Sequence, residues 1–343
     1  MTITRPAFGY SGQIFVAEEA TYGTATTAAA TKLRFPISGP AGSENKGFSD
    51  QRFFDGVNTR NMPQPQLGPL SYSDSFSQWL SDGWFLKMAF GSVTSSPVGT
   101  TTADYYDHTI AEKDEIPSFT LYDQVAGSGF SREYEGCKVS RYSISGDSGG
   151  FVTENVDFIA QDMRIATTVL TASAPDVEPF RWHHCVIKTN NAATTVAEVF
   201  ENVNRWEVTI DNDLNPKMYC TDTGDERCIS AIHEQGRNYN AILNVDFTDR
   251  KHYDAFFTGT TGGVETTTKA QGTTIFDFNF NITMTRSATT TKDEIFIGFK
   301  NSIIDTPGFT KDVGNTPITL AMAIRPLALD SCHIYNSDAS PWS

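Results

Sequence analysis

The sequence predicts a mainly β protein: two tandem β-barrel or β-sandwich modules, each with one flanking α-helix. Three observations carry this. Elements recur in the same order in the two halves of the chain. Runs of alternating apolar and polar residues are separated by clusters of turn formers. Aromatic residues make up 12% of the chain, with 24 Phe and 12 Tyr, side chains that pack well on a pleated surface. At 343 residues there is room for two modules of common size.

Taken in order, Ile14-Phe-Val-Ala reads as a strand, then a Thr/Ala/Gly stretch leads to a second strand, Leu33-Arg-Phe-Pro-Ile. In the second half, Cys185-Val-Ile-Lys is followed by Asn190-Asn-Ala-Ala-Thr-Thr and Val203-Asn-Arg-Trp-Glu-Val. Ile14 to Phe35 and Cys185 to Trp206 are both steps of 21 residues. A long polar passage follows each second strand, 39–68 and 212–236; connections of that length inside compact domains usually have a function. Leu70-Ser-Tyr-Ser-Asp-Ser-Phe and Leu243-Asn-Val-Asp-Phe-Thr-Asp then alternate with period two. Each runs into an expected helix, 76–90 and 249–257, ended by Gly91 and Gly259. Paired strand candidates follow at 118–122 and 275–282, 136–139 and 298–301, and 151–160 and 316–324. The boundaries are an N-terminal arm 1–12, a first module 13–165, a connector 166–179, a second module 180–328, and a tail 329–343 without periodicity.

Charge restricts the function. Against 26 Lys plus Arg stand 41 Asp plus Glu, a net charge of -15, so a basic surface that holds nucleic acid is not expected. The N-terminus lacks the cationic start and apolar run of a signal peptide, and no stretch is long enough to span a bilayer. Folding in a cytoplasm is therefore expected, with the five irregularly spaced cysteines reduced.

Catalytic and metal signatures are weak. His183, His184 and Cys185 with Cys220, Cys228 and His233 are zinc-type residues, but the gap between Cys220 and Cys228 is too long for a zinc knuckle, and adjacent histidines on a strand point to opposite faces. Ser145-Gly-Asp-Ser-Gly-Gly is reminiscent of the sequence around a protease nucleophile, with His108 and Asp114 upstream. It reads more simply as a hairpin turn between Tyr142 and Val152. No enzyme activity, cofactor or metal is expected.

Several stretches together resemble the two-domain tail tube proteins of long-tailed, non-contractile bacteriophages. They are Val16-Ala-Glu-Glu-Ala-Thr-Tyr-Gly-Thr-Ala, Ser38-Gly-Pro-Ala-Gly-Ser-Glu, Gly83-Trp-Phe-Leu-Lys-Met-Ala-Phe-Gly-Ser-Val, Tyr134-Glu-Gly-Cys-Lys-Val-Ser, Ile210-Asp-Asn-Asp-Leu-Asn-Pro and Gly236-Arg-Asn-Tyr. The resemblance implies a virion structural protein, made in the host cytoplasm, that assembles with itself. Three chains form a ring of six module positions, and stacked rings form the channel for viral DNA. Its implied partners are other copies of itself, a tape measure protein and a tail terminator or tail-tip protein; DNA passes without specific binding. A virion-associated carbohydrate-binding or adhesin module is the alternative.

A DNA conduit should present polar or acidic side chains to its cargo. Strand alternation offers Ser71, Ser73, Glu207, Thr209, Asp211, Asn244, Asp246, Asn279, Asn281 and Thr283 as candidate channel-lining residues. The long loops offer Phe48, Arg52, Phe53, Phe54, Asp55, Arg60, Lys217, Tyr219, Asp222, Asp225 and Arg227 as candidates for stacking between rings.

Overall fold

The computed structural model describes residues 12–26, 32–34, 36–40, 44–45, 48–49, 66–67, 70–99, 105–125, 130–166, 170–171, 178–191, 198–199, 202–219, 229–246, 278–287, 292–310 and 318–337. In chain order, β1 (Gly12–Glu18), β2 (Lys32–Leu33), β3 (Pro36–Ser38), β4 (Glu44–Asn45), β5 (Phe48–Ser49), β6 (Gln66–Leu67) and β7 (Ser71–Trp79) precede the helix α1 (Trp84–Phe90). Then come β8 (Gly91–Val98), β9 (Tyr105–Glu112), β10 (Phe119–Val125), β11 (Phe130–Asp147), β12 (Thr153–Ala160) and β13 (Asp162–Ala166). The second half holds β14 (Cys185–Asn191), β15 (Glu198–Val199), β16 (Val203–Asp211), β17 (Leu214–Lys217), β18 (Ala231–Glu234) and β19 (Asn238–Asp246). It ends with β20 (Phe278–Ser287), β21 (Asp293–Thr310), β22 (Thr319–Arg325) and β23 (Ala328–Asn336).

One antiparallel sheet crosses both halves in the order β3/β4, β7, β12, β11, β16, β19, β22, β21. Two covering sheets pack on it: β2, β1, β10, β11, β13 in the first half, and β15, β14, β20, β21, β23, β9, β8 in the second. β11 and β21, each 18 residues, pass from a covering sheet into the shared one. A register shift marks where each bends, at Val139/Arg141 and at Ile304/Thr306. An extra residue on one strand sharpens its twist, and that lets one strand serve two layers.

The order of pairings is the same in the two halves: β3/β4, β7, β12, β11 and then β16, β19, β22, β21. Two further irregularities occur at matching places. Pairing slips at Pro36/Ser38 and again at Val203/Arg205, and at Phe119/Leu121 and again at Phe278/Phe280. In this order Phe76, opposite Val156, holds the place that Leu243, opposite Met322, holds in the second half. The sequence match of Leu70 with Leu243 is therefore six residues out of register. Alternation with period two looks the same after any even shift, so it could not tell these registers apart.

The layers enclose one apolar core rich in aromatic rings. In the first half Trp84 and Phe85 of α1 meet Phe119 and Phe76 edge to face, with ring centroids 5.7 and 5.3 Å apart. Tyr134 meets Phe158 across the layers at 5.4 Å. In the second half Tyr239 of the shared sheet packs on Phe299 of the covering sheet at 5.4 Å. Such pairs add about 0.5 to 1.5 kcal/mol to simple burial.

Three expectations are corrected. The expected helix 76–90 begins only at Trp84: the Ser/Tyr alternation stays extended to Trp79, Gly83 turns with φ 69°, and Asp82 Oδ1 accepts the Trp84 backbone N–H at 3.1 Å. Gly83 is the N-cap and offers no side chain, so the turn at Asp82–Gly83 starts the helix, which the longer apolar stripe concealed. The expected tail 329–343 contains most of β23, in which Leu329, Cys332 and Ile334 are buried. The connector expected at 166–179 begins inside β13. The expected helix 249–257 lies outside the described residues.

Candidate channel wall and stacking surfaces

The shared sheet turns one face to the core and the other to solvent. Along β19, Tyr239, Ala241, Leu243 and Val245 are buried, while Asn238, Asn240 and Ile242 are exposed and Asn244 and Asp246 half-buried. Along β7 the solvent face carries Ser71, Ser73, Ser75, Ser77 and Trp79, and Tyr72, Phe76 and Gln78 point inward. Arg205, Glu207 and Asp211 form that face of β16 together with Thr209, which its neighbours bury, opposite Trp206, Val208 and Ile210. Seven of the ten candidate lining residues thus share one face of one sheet.

The other three do not. Asn279, Asn281 and Thr283 are on β20, in the second covering sheet, across the core from the shared sheet. All three oppose buried Phe280, Ile282 and Met284. They alternate in the same way but on a different layer, because alternation identifies a buried face and not the sheet that carries it. A single wall holding Glu207 and Asn244 cannot also hold Asn281.

Reading the strand register adds residues that alternation on single strands missed. Ser143 stands between Asn155 and Thr209, and Ser145 between Thr153 and Glu207. Arg141 stands between Asp157 and Asp211. Burial pushes the Asp157 carboxyl upward, Arg141 pulls it down and Asp211 raises it again. The other two arginines of this face among the described residues are also beside acids. Arg205 reaches Glu207 at 3.4 Å and Asp147 at 3.7 Å, and Arg325 reaches Asp305 at 2.9 Å. With each guanidinium so placed, hydroxyl and amide groups fill most of the remaining face.

Two edges of the shared sheet have no strand partner among the described residues: β3/β4 at one end and the C-terminal part of β21 at the other. The join between β11 and β16 runs without a slip from Arg141 opposite Asp211 to Asp147 opposite Arg205. Gly146 lies against the Trp206 indole there, and a Cβ on it would come within 2.7 Å of Nε1.

Of the stacking candidates, Lys217 and Tyr219 are on or beside the β17–β18 hairpin and are exposed. The Tyr219 hydroxyl is 2.9 Å from His233 Nε2. Phe48 is in β5, paired with Leu67 of β6. Arg52, Phe53, Phe54, Asp55, Arg60, Asp222, Asp225 and Arg227 lie outside the described residues. The hairpin base is fixed by residues the sequence did not single out. Asn212 Nδ2 donates to the carbonyls of Ala89 and Val139, Arg237 Nε donates to Asn212 Oδ1, and Lys138 Nζ pairs with Glu234 at 2.8 Å.

Among the described residues no group of three His, Cys, Asp or Glu side chains could hold a metal ion. His183 and His184 sit in a short 3-10 turn, Trp182–His184, rather than in a strand. Ser148 is in the turn joining β11 to β12, whereas His108 is buried in β9 between Ser95 Oγ at 2.7 Å and Asn336 Oδ1 at 3.0 Å. Trp84 and Trp206 are buried and Trp182 half-buried, and Trp79 packs on Phe151 with ring centroids 4.8 Å apart.

A family model described as phage tail tube protein matches residues 9–317. The chain belongs to that family. As a tail tube protein it is similar to a solved SPP1 tail tube, determined by solid-state NMR and cryo EM, with a TM-score of 0.30 and 10% identity over 47% of this chain and 80% of that one. No curated protein shows significant similarity to this tail tube protein. No described helix is long and apolar enough to cross a membrane.

Proposed function

We propose that this chain is the major tail tube subunit of a bacteriophage virion: a structural, non-catalytic protein whose rings stack into the channel for viral DNA. Each chain supplies two modules, so three chains close a ring of six positions. The observation that carries this is the shared sheet. Its eight positions repeat one four-strand order, its slips recur at matching places, and β3/β4 and β21 are left open at its two ends. In that order β21 corresponds to β11, and β3/β4 to β16. The β11–β16 join inside the chain is thus a template for pairing β21 of one copy with β3/β4 of the next. Repeating one join closes a ring, and a closed sheet has no edges left to aggregate.

In this reading the solvent face of the shared sheet is the channel wall. Ser71, Ser73, Glu207, Thr209, Asp211, Asn244 and Asp246 line it, and arginines held beside acids leave no cationic stripe to grip phosphate. The β17–β18 hairpin, with Lys217 and Tyr219, and the passage 39–68 reach the adjacent ring. Assembly occurs in the host cytoplasm, with the tape measure protein inside the tube and terminator or tip proteins at its ends.

Negative-stain microscopy of the purified protein tests the reading. Stacked rings or tubes are expected. A discrete monomer across salt and protein concentration would overturn it. Deleting residues 50–61, which spares β4 and β5, should leave folded subunits and rings but abolish stacking. Tubes of normal length from that deletion would remove this loop from the contact between rings.

A further inference from the structure

The second covering sheet is finished by strands from the first half. Along its core-facing side the register partners run Ile187, Ile282, Ile297, Cys332, Ile110 and Val93. The last two belong to β9 and β8, and under them Cys332 is fully buried. The start of α1 contributes too: Gly83 lies against Ile334 and Ile295. The first-half segment between β7 and β10 therefore covers the outer edge of the second half.

The same row in the first covering sheet runs Ile14, Asp123, Arg132 and Ile165, and there it stops. β13 has no further partner among the described residues. Ile165 is 70% exposed, more than any other large apolar side chain described, and Phe130 on the same face is 43% exposed. Cys332 and Ile295, which hold these places in the second half, are 0% and 1% exposed. An edge strand presenting unpaired backbone groups beside an exposed apolar side chain such as Ile165 is a template for a strand from elsewhere.

We propose that the free edge of β13, with Ile165 and Phe130, is a docking surface for a second copy of this chain. The occupant is residues 247–277, between β19 and β20, the place in the order of elements that α1, β8 and β9 hold in the first half. By sequence the stretch carries Tyr253, Phe256, Phe257, Val264 and many threonines, suited to an apolar strand edge. The proposal rests on the ring reading. Within the chain, the step that joins β11 to β16 also lays β9 on β23. The same step between chains joins β21 to β3/β4 and lays 247–277 on β13. Each subunit contact is then made on two layers at once.

Ile165→Asp tests it. The side chain is exposed in the single subunit, so the variant should melt with the wild type but need at least ~10-fold more protein to form rings, the order expected when one aliphatic side chain is no longer buried. In parallel, hydrogen exchange of the Asp162–Ala166 amides should slow at least ~10-fold when wild-type subunits assemble. Rings from Ile165→Asp at the wild-type concentration, or β13 amides exchanging equally fast in rings and free subunits, would overturn the proposal and leave the ring reading standing. Wild-type protein that never forms rings would remove both. Should Ile165→Asp fail to fold, the exchange measurement decides alone.

Discussion

Replacing Glu154 by Gln isolates one buried proton. Glu154 is on β12, fully buried between the two layers of the first half. Gln78 Nε2 donates to one carboxyl oxygen and the Tyr142 hydroxyl to the other, the latter at 2.6 Å. Burial raises the carboxyl from 4.5 to about 7; the two hydrogen bonds and Arg34 oppose this and Asp82 adds to it. The acid therefore binds its proton more tightly in the folded chain than in the unfolded one. Its contribution to stability is complete below pH 4.5 and is lost as the pH rises to about 7. A shift of that size is worth about 3 kcal/mol. Glutamine has no proton to lose, so the stability of Glu154→Gln relative to wild type should improve by about 3 kcal/mol from about pH 4.5 to about pH 8. Urea unfolding of dispersed subunits, followed by tryptophan fluorescence, measures this at each pH. Gln78 Oε1 has no hydrogen-bond partner, and turning the Gln78 amide lets it accept from the new side chain, so the variant should fold. A relative stability constant to within about 0.5 kcal/mol over that range would refute a buried, proton-holding Glu154.

Gly146→Ala should weaken the β11–β16 join by about 1 to 3 kcal/mol, because its Cβ must displace the packed Trp206 ring. Gly150→Ala, whose Cβ meets nothing closer than 3.4 Å, is the control and should change the melting temperature little. Glu207→Lys combined with Asp211→Lys puts two cations on the proposed wall. Assembled tubes of this variant should retain short duplex DNA at about 50 mM salt and release it as salt rises, while wild-type tubes should not retain it. Failure of the variant to hold DNA at low salt would place this face away from the channel.

How far the sequence could be read is clearest from particular elements. The turn between Tyr142 and Val152 and the core faces of β16 and β19 follow from local chemistry. Alternating side chains on a strand must face opposite ways, and a Gly/Asp/Ser cluster must turn. β8 and β9 were not assigned at all. Their Ser, Thr and Pro97 give no strand pattern of their own, and they pair as strands where β9 lies on the edge of β23 and β8 on β9. The run from Ala328 showed no period because half of its surroundings come from β9, which is far away in sequence.

The candidate wall divides in the same way. By itself the sequence determined which side chains of each strand avoid the core, since that depends on a two-residue period and on nothing distant. Tertiary structure alone decided which strands share a sheet. It put Glu207, Thr209 and Asn244 on one face and moved Asn279, Asn281 and Thr283 to another layer. It also decided the register that sets Arg141 between Asp157 and Asp211. Pairing between strands is made by backbone groups that every residue carries, so partner and register follow from how the layers close around the core, and the side chains of one strand do not encode them.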